Sequence, residues 1–332
     1  SSGVYDFSRS ESIVLVQTSG KKRFVKQFTD HYSAESILCQ CIKQILDRTF
    51  RVKYPNRNKS VRALFDAFKS AKQMADFTII KYDFKNYFNS VSATYVYERY
   101  IREKLSDRFE ADLINRFARE TKYAFAGLST SNVVAEIIAQ RFDAEIRLAF
   151  ASKGILFFER YIDDSIIIFN EHIEESECHD ILNAILDKVF HDSSITVFPK
   201  CKTRFNASKF VYISRRILTG TQKVIDYLGY EFKFSVHNDN VEVKYGITQV
   251  KREKYNKRLD EIIMLYQNPI GRNGAANLDY HNVELLRHRI AAFTSRSVYQ
   301  SCRYNIVIWK AKGFISNYGE LRYLLDTPLI DV

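Results

Sequence analysis

Glycine and proline are scarce in this chain of 332 residues, at 11 and 4. That scarcity excludes collagen-like, linker-like and low-complexity architectures, which need far more of both. Cysteine is scarce and odd in number, at 5, with no CxxC pair among Cys39, Cys41, Cys178, Cys201 and Cys302. Such usage excludes a disulfide framework and a zinc ribbon and points to a reducing, cytoplasmic setting. Cys39 and Cys41, on different faces of a helix, both read as packing residues. No apolar run approaches the roughly 18 residues of a membrane span, so no membrane partner is expected. No signal-peptide pattern is visible. The sequence opens Ser1-Ser2-Gly3 without Met, which leaves room for a preceding segment. Internal repeats are lacking too.

What the chain does have is apolar bulk and positive charge. Apolar residues make up 46%, with 25 Phe and 21 Tyr, and the formal net charge is +11. The length suits one large domain or a few lobes sharing cores. A surplus of this size suits a polyanionic partner, either nucleic acid or an anionic surface.

Periodicity sets the expected elements. Strands are expected at 12–17 and 23–28, and a helix at 33–49, where Ile37, Leu38, Cys41, Ile42, Ile45 and Leu46 recur at helical spacing. A turn at 54–58 precedes a helix at 61–75. The period then changes: 77–84 is short, apolar and β-prone, a candidate central strand. Helices are expected at 92–106 and 111–120. Ser129-Thr130-Ser131-Asn132 is a run of capping residues opening a long helix. Apolar runs at 155–161 and 165–169 flank Ile162-Asp163-Asp164, which predicts a β-hairpin. A helix at 175–189 and strands at 194–198 and 210–214 follow. The runs 224–234 and 241–245 pattern as another hairpin, and 250 onward as mostly helix with a loop at 268–277. Strand, helices, hairpin, helix, strand is the order of a split βαβ sheet, an α+β fold.

In that sheet the first strand and the hairpin lie side by side, so Asp83, Asp163 and Asp164 converge at one edge. At roughly 4 Å two carboxylates repel by about 4 kcal/mol at an effective dielectric near 20. A divalent cation offsets this, and Mg²⁺ suits a few carboxylates plus substrate phosphates. Two such ions serve in-line phosphoryl displacement. A solvated Asp-Asp turn and a strand-end cap are the ordinary alternatives.

The residues around the acids carry a resemblance. Ile80-Lys81-Tyr82-Asp83-Phe84-Lys85-Asn86-Tyr87-Phe88 resembles the first catalytic block of reverse transcriptases, and Tyr161-Ile162-Asp163-Asp164 their Tyr-x-Asp-Asp turn. Gly127-Leu128-Ser129-Thr130-Ser131-Asn132 is similar to the Gly block of the palm helix. Phe205-Asn206-Ala207-Ser208-Lys209 resembles the lysine block, Tyr227-Leu228-Gly229-Tyr230 the primer-grip hairpin, and Arg23-Phe24-Val25-Lys26 the fingers block. All six occur in the family's order.

The resemblance implies a right-hand polymerase: fingers over 1–76, a ferredoxin-like palm over 77–235 with a helical fingers insertion at 93–125, and a basic helical thumb over 236–332. It implies DNA synthesis with two Mg²⁺ ions, Mn²⁺ being a substitute, held by Asp83, Asp163, Asp164 and the Phe84 carbonyl. Lys209 is then the candidate general acid. Arg23 and Lys26 face the triphosphate, and Phe84, Phe88 and Gly127 complete the nucleotide site, with the Phe88 ring excluding a 2′-hydroxyl. Tyr161, Leu228, Gly229, Lys251, Arg252, Lys254, Lys257 and Arg258 are the implied nucleic-acid contacts. Arg51, Lys53, Arg57, Lys59 and Arg62, with Arg296 and Arg303, are further basic candidates. Implied partners are an RNA template or structured non-coding RNA, a DNA primer or product, deoxynucleotides, and a partner protein or a second copy.

Two departures matter. Phe125-Ala126 stand where the family has Pro-Gln before the palm Gly, and Gln27-Phe28 follow Lys26 where it has Pro. These fit divergent bacterial relatives, the retron-like and abortive-infection defence enzymes. They also leave open ribonucleotide or untemplated synthesis on the same palm, and a non-catalytic RNA-binding scaffold.

Overall fold

A computed structural model describes residues 5–16, 22–30, 32–218, 220–271, 273–294, 297–303 and 306–312. The chain divides into two compact units, Ser1–Asn56 with Met74–Arg216, and Arg57–Gln73 with Ile217–Val332.

In the first unit, β1 (Glu11–Val16) and β2 (Lys22–Gln27) form an antiparallel hairpin. Helix α1 (Ala34–Phe50) starts at Ser33, whose hydroxyl accepts the Ser36 N–H and so satisfies one free donor of the first turn. It buries Cys39, Ile42 and Leu46. Cys41 is exposed, so of the two thiols read as packing residues only Cys39 is one; two positions along a helix is about 200° around its axis. Helix α2 (Arg57–Ala71), four residues earlier at each end than the expected 61–75, belongs to the second unit.

The wholly buried β3 (Thr78–Asp83) then opens the main sheet. It is followed by the short turns α3 (Tyr87–Ser90) and α4 (Ala93–Val96), then α5 (Arg108–Thr121), α6 (Ser131–Ala149), β4 (Ile155–Tyr161), β5 (Asp164–Phe169), α7 (Glu175–Phe190) and β6 (Val211–Ser214). The four strands run in the order β4-β5-β3-β6, every pair antiparallel. Helix α6 contributes Val133, Val134, Ile137, Ile138 and Phe142 to a core that includes Phe84, Tyr87, Phe190 and Ile167.

Three expectations in this unit are corrected. The single helix at 92–106 is broken: after α4 the chain widens into a π turn at Tyr97–Ile101 and tightens at Arg102–Lys104. Tyr95 and Tyr100, five residues apart, both donate to the Val189 carbonyl. A regular α-helix points such a pair in different directions, and a wider turn aligns them. The strand at 194–198 is absent. The Ser194 N–H and hydroxyl both donate to the Asp192 carboxylate, a side-chain turn that competes with strand pairing, and Phe198 ends up 86% exposed. At the start of α6, Thr130 occupies the cap position without a side-chain cap, and the Ser131 hydroxyl instead donates back to the Phe125 carbonyl.

In the second unit β7 (Lys223–Tyr227), β8 (Tyr230–His237) and β9 (Asn240–Ile247) form an antiparallel meander. The run 224–234, expected as one arm of a hairpin, is two strands, because Leu228 and Gly229 both take positive φ and reverse the chain. Helix α2 packs on this sheet through Phe65, set edge-on against Tyr230, Phe232 and Tyr245, and Phe68, set against Phe232 and Phe234. Helices α8 (Gln249–Gln267) and α9 (Val283–Thr294) follow. The helical C-terminal region expected from residue 250 is corrected beyond 294, where β10 (Ser297–Arg303) pairs with β11 (Ile306–Lys312). The run Ile306-Val307-Ile308-Trp309 is β-branched and aromatic, and that local preference outweighs the basic helical pattern before it. Arg296 lies outside the described residues, as do the side chains of Cys302 and Arg303.

Candidate active site

The sheet register sets two carboxylates face to face. Asp83, the last residue of β3, is the cross-strand partner of Asp164, the first residue of β5. Beyond them, the Phe84 N–H donates to the Asp163 carbonyl at 3.1 Å, so the ladder continues into the turn. Phe84 is also bridged to Phe205 by backbone pairing and stacks on its ring at 5.5 Å. That contact brings in the segment that carries Asn206 and Lys209.

The turn is held open by a costly backbone. Ile162 has φ +62°, a left-handed conformation that a β-branched side chain adopts only under constraint. The constraint is Arg160, whose Nη1 donates to the Ile162 carbonyl at 2.9 Å. The same guanidinium pairs with Glu136 on α6 at 2.5 and 3.1 Å and with Asp143 at 2.9 and 3.0 Å. Arg160 and Glu136 are both buried. Burial works against the arginine's charge, but Asp143 and Glu136 more than compensate and hold its proton tightly.

Each acid of the facing pair has its own lysine. Lys209 Nζ reaches Asp83 Oδ2 at 2.6 Å, and Asn206 adds a side-chain contact at 3.4 Å and a main-chain one at 2.8 Å. Lys81 Nζ sits 3.0 Å from Asp164 Oδ1. Asp163 has no ion pair within 4 Å among the described residues. Burial, and then the neighbouring Asp83 charge, raise its pKa, while Lys209 and Arg23 pull it down. Burial lifts Asp164 to about 6 against the opposing effect of Lys81. For Lys209, burial favours the neutral amine, but the Asp83 hydrogen bond together with the charges of Asp83, Asp163 and Asp164 outweighs it and keeps the proton on Nζ. Among the described residues, no three His, Cys, Asp or Glu side chains already converge as a metal-ligand cluster. Asp83 and Asp164 are turned toward their lysines instead.

The end of β2 meets the loop at 125–127. The Lys26 N–H donates to the Ala126 carbonyl at 2.7 Å, and Lys26 Nζ lies 4.6 Å from the centre of the Phe125 ring. Burial, with Lys122 nearby, lowers the Lys26 pKa. Gly127 has φ +110°, and a Cβ there would overlap the Lys26 carbonyl oxygen. Gly127→Ala is therefore expected to cost about 1–3 kcal/mol of stability from backbone strain alone. Chemical denaturation measures that cost, and a silent substitution would mean that β2 and the loop do not meet this way.

Phe88 is half-buried and lines a cavity of about 230 Å³ with Tyr54, Tyr87, Asn132, Glu136 and Tyr161. Asp83, Phe84, Asp163, Asp164 and Lys209 thus come together, with Arg23 near enough to act on Asp163. Lys26 and Gly127 meet one another.

The Leu228 carbonyl accepts Arg57 Nη2 at 2.6 Å, so Arg57 is partly committed to the β7–β8 turn. Gly229 faces Lys251 so closely that a Cβ would overlap its ammonium. Lys254, Lys257 and Arg258 are exposed along α8, Lys251 and Arg252 less so. Lys59 and Arg62 are exposed, as are Arg51 and Lys53 of the first unit.

Sequence reasoning missed Lys81, Glu136, Asp143, Arg160 and Asn206. A signal was present for three of them: Lys81 and Arg160 are charges inside apolar strands, and Glu136 stands on the apolar face of α6. Buried charges of this kind are kept only when paired.

Among the described residues no helix is long and apolar enough to cross a membrane. No family model and no curated protein matches the chain. Several solved structures are similar. Apo telomerase from Candida tropicalis, truncated from its C-terminal domain, matches with TM-score 0.46 and 13% identity over 72% of this chain and 56% of that one. Telomerase from Candida albicans in complex with a fragment of telomeric RNA matches with TM-score 0.45 and 12% identity, over 86% and 53%. An RdRp complex gives TM-score 0.40 and 11% identity, over 88% and 27%. The chain spans about half the length of these telomerases, and likeness at this level assigns it no function.

Proposed function

We propose that this chain is a nucleotidyltransferase of the reverse-transcriptase class that adds deoxynucleotides to a primer end. The observation that carries the reading is the register pair Asp83–Asp164 with Asp163 beside it, at the end of a buried sheet and with Lys209 on Asp83. The donors are all hard oxygens, which fits Mg²⁺ and, as a substitute, Mn²⁺. Asp83 and Asp163 would hold two such ions, with the Phe84 main-chain carbonyl, and Asp164 would complete the acidic edge. Bound there, divalent ions stabilise charge on the attacking and leaving oxygens of an in-line displacement.

The chain's own residues do the rest. Asp83 and Asp163 fix where the phosphates sit. Lys209 carries its proton on Nζ and is released toward the departing pyrophosphate as its hold on Asp83 loosens. Arg23 and Lys26 take the triphosphate as charge-assisted donors. Phe88 closes the sugar side. Template and primer, an RNA or a primed DNA end, run along the β7–β8 turn and the basic face of α8, where neutralised phosphates supply the affinity. A role in bacterial antiphage defence is part of this reading, supported by the divergent Phe125-Ala126 and Gln27-Phe28. Ala126 offers no side-chain amide to the incoming base, which favours relaxed or untemplated addition as the second reading.

The test is incorporation of each nucleotide set by purified protein with Mg²⁺, with and without primer and template. Deoxynucleotides are expected in the product. Phe88→Ala should relax the preference for deoxy over ribo sugars by about tenfold or more. A wild type that accepts both sugars equally removes the gate from Phe88. No incorporation by folded protein under any of these conditions removes the enzyme reading and leaves an RNA-binding scaffold.

A further inference from the structure

Lysines 81 and 209 neutralise the facing acids in physically different ways. Residues 81 and 83 are two apart on β3 and share one face of the sheet. Asp164 lies directly across from Asp83, and Lys81 lies across from Ile166, so Lys81 reaches Asp164 along the diagonal. Like charges directly opposite are destabilising in a sheet, and two carboxylates stand so here. The Lys81 side chain is 8% exposed, packed into a buried strand with no room to leave. The Lys209 side chain is 49% exposed, on a short turn, free to swing into solvent. One counter-ion is fixed and the other can be displaced.

We propose that Lys81 is a positioning residue that commits Asp164 permanently to holding the catalytic hairpin on β3, leaving Asp83 and Asp163 as the pair available to divalent cations. The inference rests on the reading of this edge as a cation-dependent transferase site. Lys209 would yield Asp83 to a bound cation, because its ammonium has solvent to move into. Lys81 would stay on Asp164, because withdrawal would leave an ammonium unpaired in the sheet interior. The second acid of the turn therefore acts through the hairpin's geometry, and the three acids are unequal in a way that their adjacency conceals.

The experiment measures Mn²⁺ affinity and metal-free stability on the full chain for wild type, Asp83→Asn, Asp163→Asn, Asp164→Asn, Lys81→Met and the Lys81→Met/Asp164→Asn double variant. Mn²⁺ binding is read by electron paramagnetic resonance, without nucleotide. Asp83→Asn and Asp163→Asn are expected to weaken Mn²⁺ about tenfold or more, and Asp164→Asn by less than about threefold. Lys81→Met frees a third carboxylate and should tighten Mn²⁺. In chelator, Lys81→Met should lower the unfolding midpoint, and adding Asp164→Asn should restore part of the loss. Asp164→Asn weakening Mn²⁺ as much as Asp163→Asn would overturn the proposal, as would strictly additive stability effects of the two substitutions. A wild type that binds no Mn²⁺ and incorporates no nucleotide overturns the transferase reading itself, whatever the stability cycle gives.

Discussion

Asp163→Asn is expected to lower nucleotide incorporation by roughly a thousandfold while making the metal-free protein more stable. The two effects have one cause. Asp163 is a carboxylate kept partly out of water, beside Asp83, and both influences disfavour its charge. Removing the charge relieves that repulsion and the cost of keeping a carboxylate out of water. A loss of about 4 kcal/mol of transition-state stabilisation is close to three powers of ten in rate. Single-turnover primer extension reads the loss, and thermal unfolding in chelator reads the gain. A variant that is slower and also less stable would mark Asp163 as a structural residue of the turn. One that keeps its rate would remove the acid from the chemistry.

Arg160→Met is expected to destabilise the first unit by about 3–5 kcal/mol, the cost of leaving buried carboxylates without their partner. Glu136 is 6% exposed and pairs with Arg160 through both oxygens, and Asp143 does so through both of its own. Methionine fills much of the volume but carries no charge, so the loss is electrostatic rather than a cavity. Adding Glu136→Gln should recover part of the stability, since one orphaned charge is then gone. It should not recover activity, because the Ile162 carbonyl still lacks its donor and the left-handed turn that presents Asp163 relaxes. Denaturant unfolding and extension assays on the single and double variants separate the two roles. Recovery of both together would reduce Arg160 to a packing element.

These pairs explain what could and could not be read from residue order. The strands β3 and β5 were legible because 77–84 and 165–169 are short, apolar and bounded, and the acids were legible because they interrupt those runs at their ends. Lys81 interrupts the first of these runs in its middle, and Arg160 interrupts the neighbouring run 155–161 one residue before its end. A charge there declares only that it has a partner, and the partners of Arg160 lie on a helix read for its apolar face. The capping run at 129–132 was read by residue type, yet Ser131 spends its hydroxyl on the preceding loop, a choice made by tertiary contact. The strands β10 and β11 were not legible because they follow a long helical stretch, and only the β-branched and aromatic run at 306–309 marks the change. The amphipathic pattern of α2 gave the buried face through Leu64, Phe65 and Phe68, but such a pattern does not name the surface that covers it.

The packing of α2 on the β7–β9 meander governs how the protein can be taken apart. The polypeptide enters the second unit at Arg57, returns at Met74, and leaves the first for good after Arg216. No single cleavage yields either half intact. A fragment ending at residue 216 would carry α2 stripped of the β7–β9 meander, with Phe65 and Phe68 bared to water. A fragment starting at 217 would lack the helix that seals that sheet. Dissection requires excising α2 from one piece and grafting it to the other.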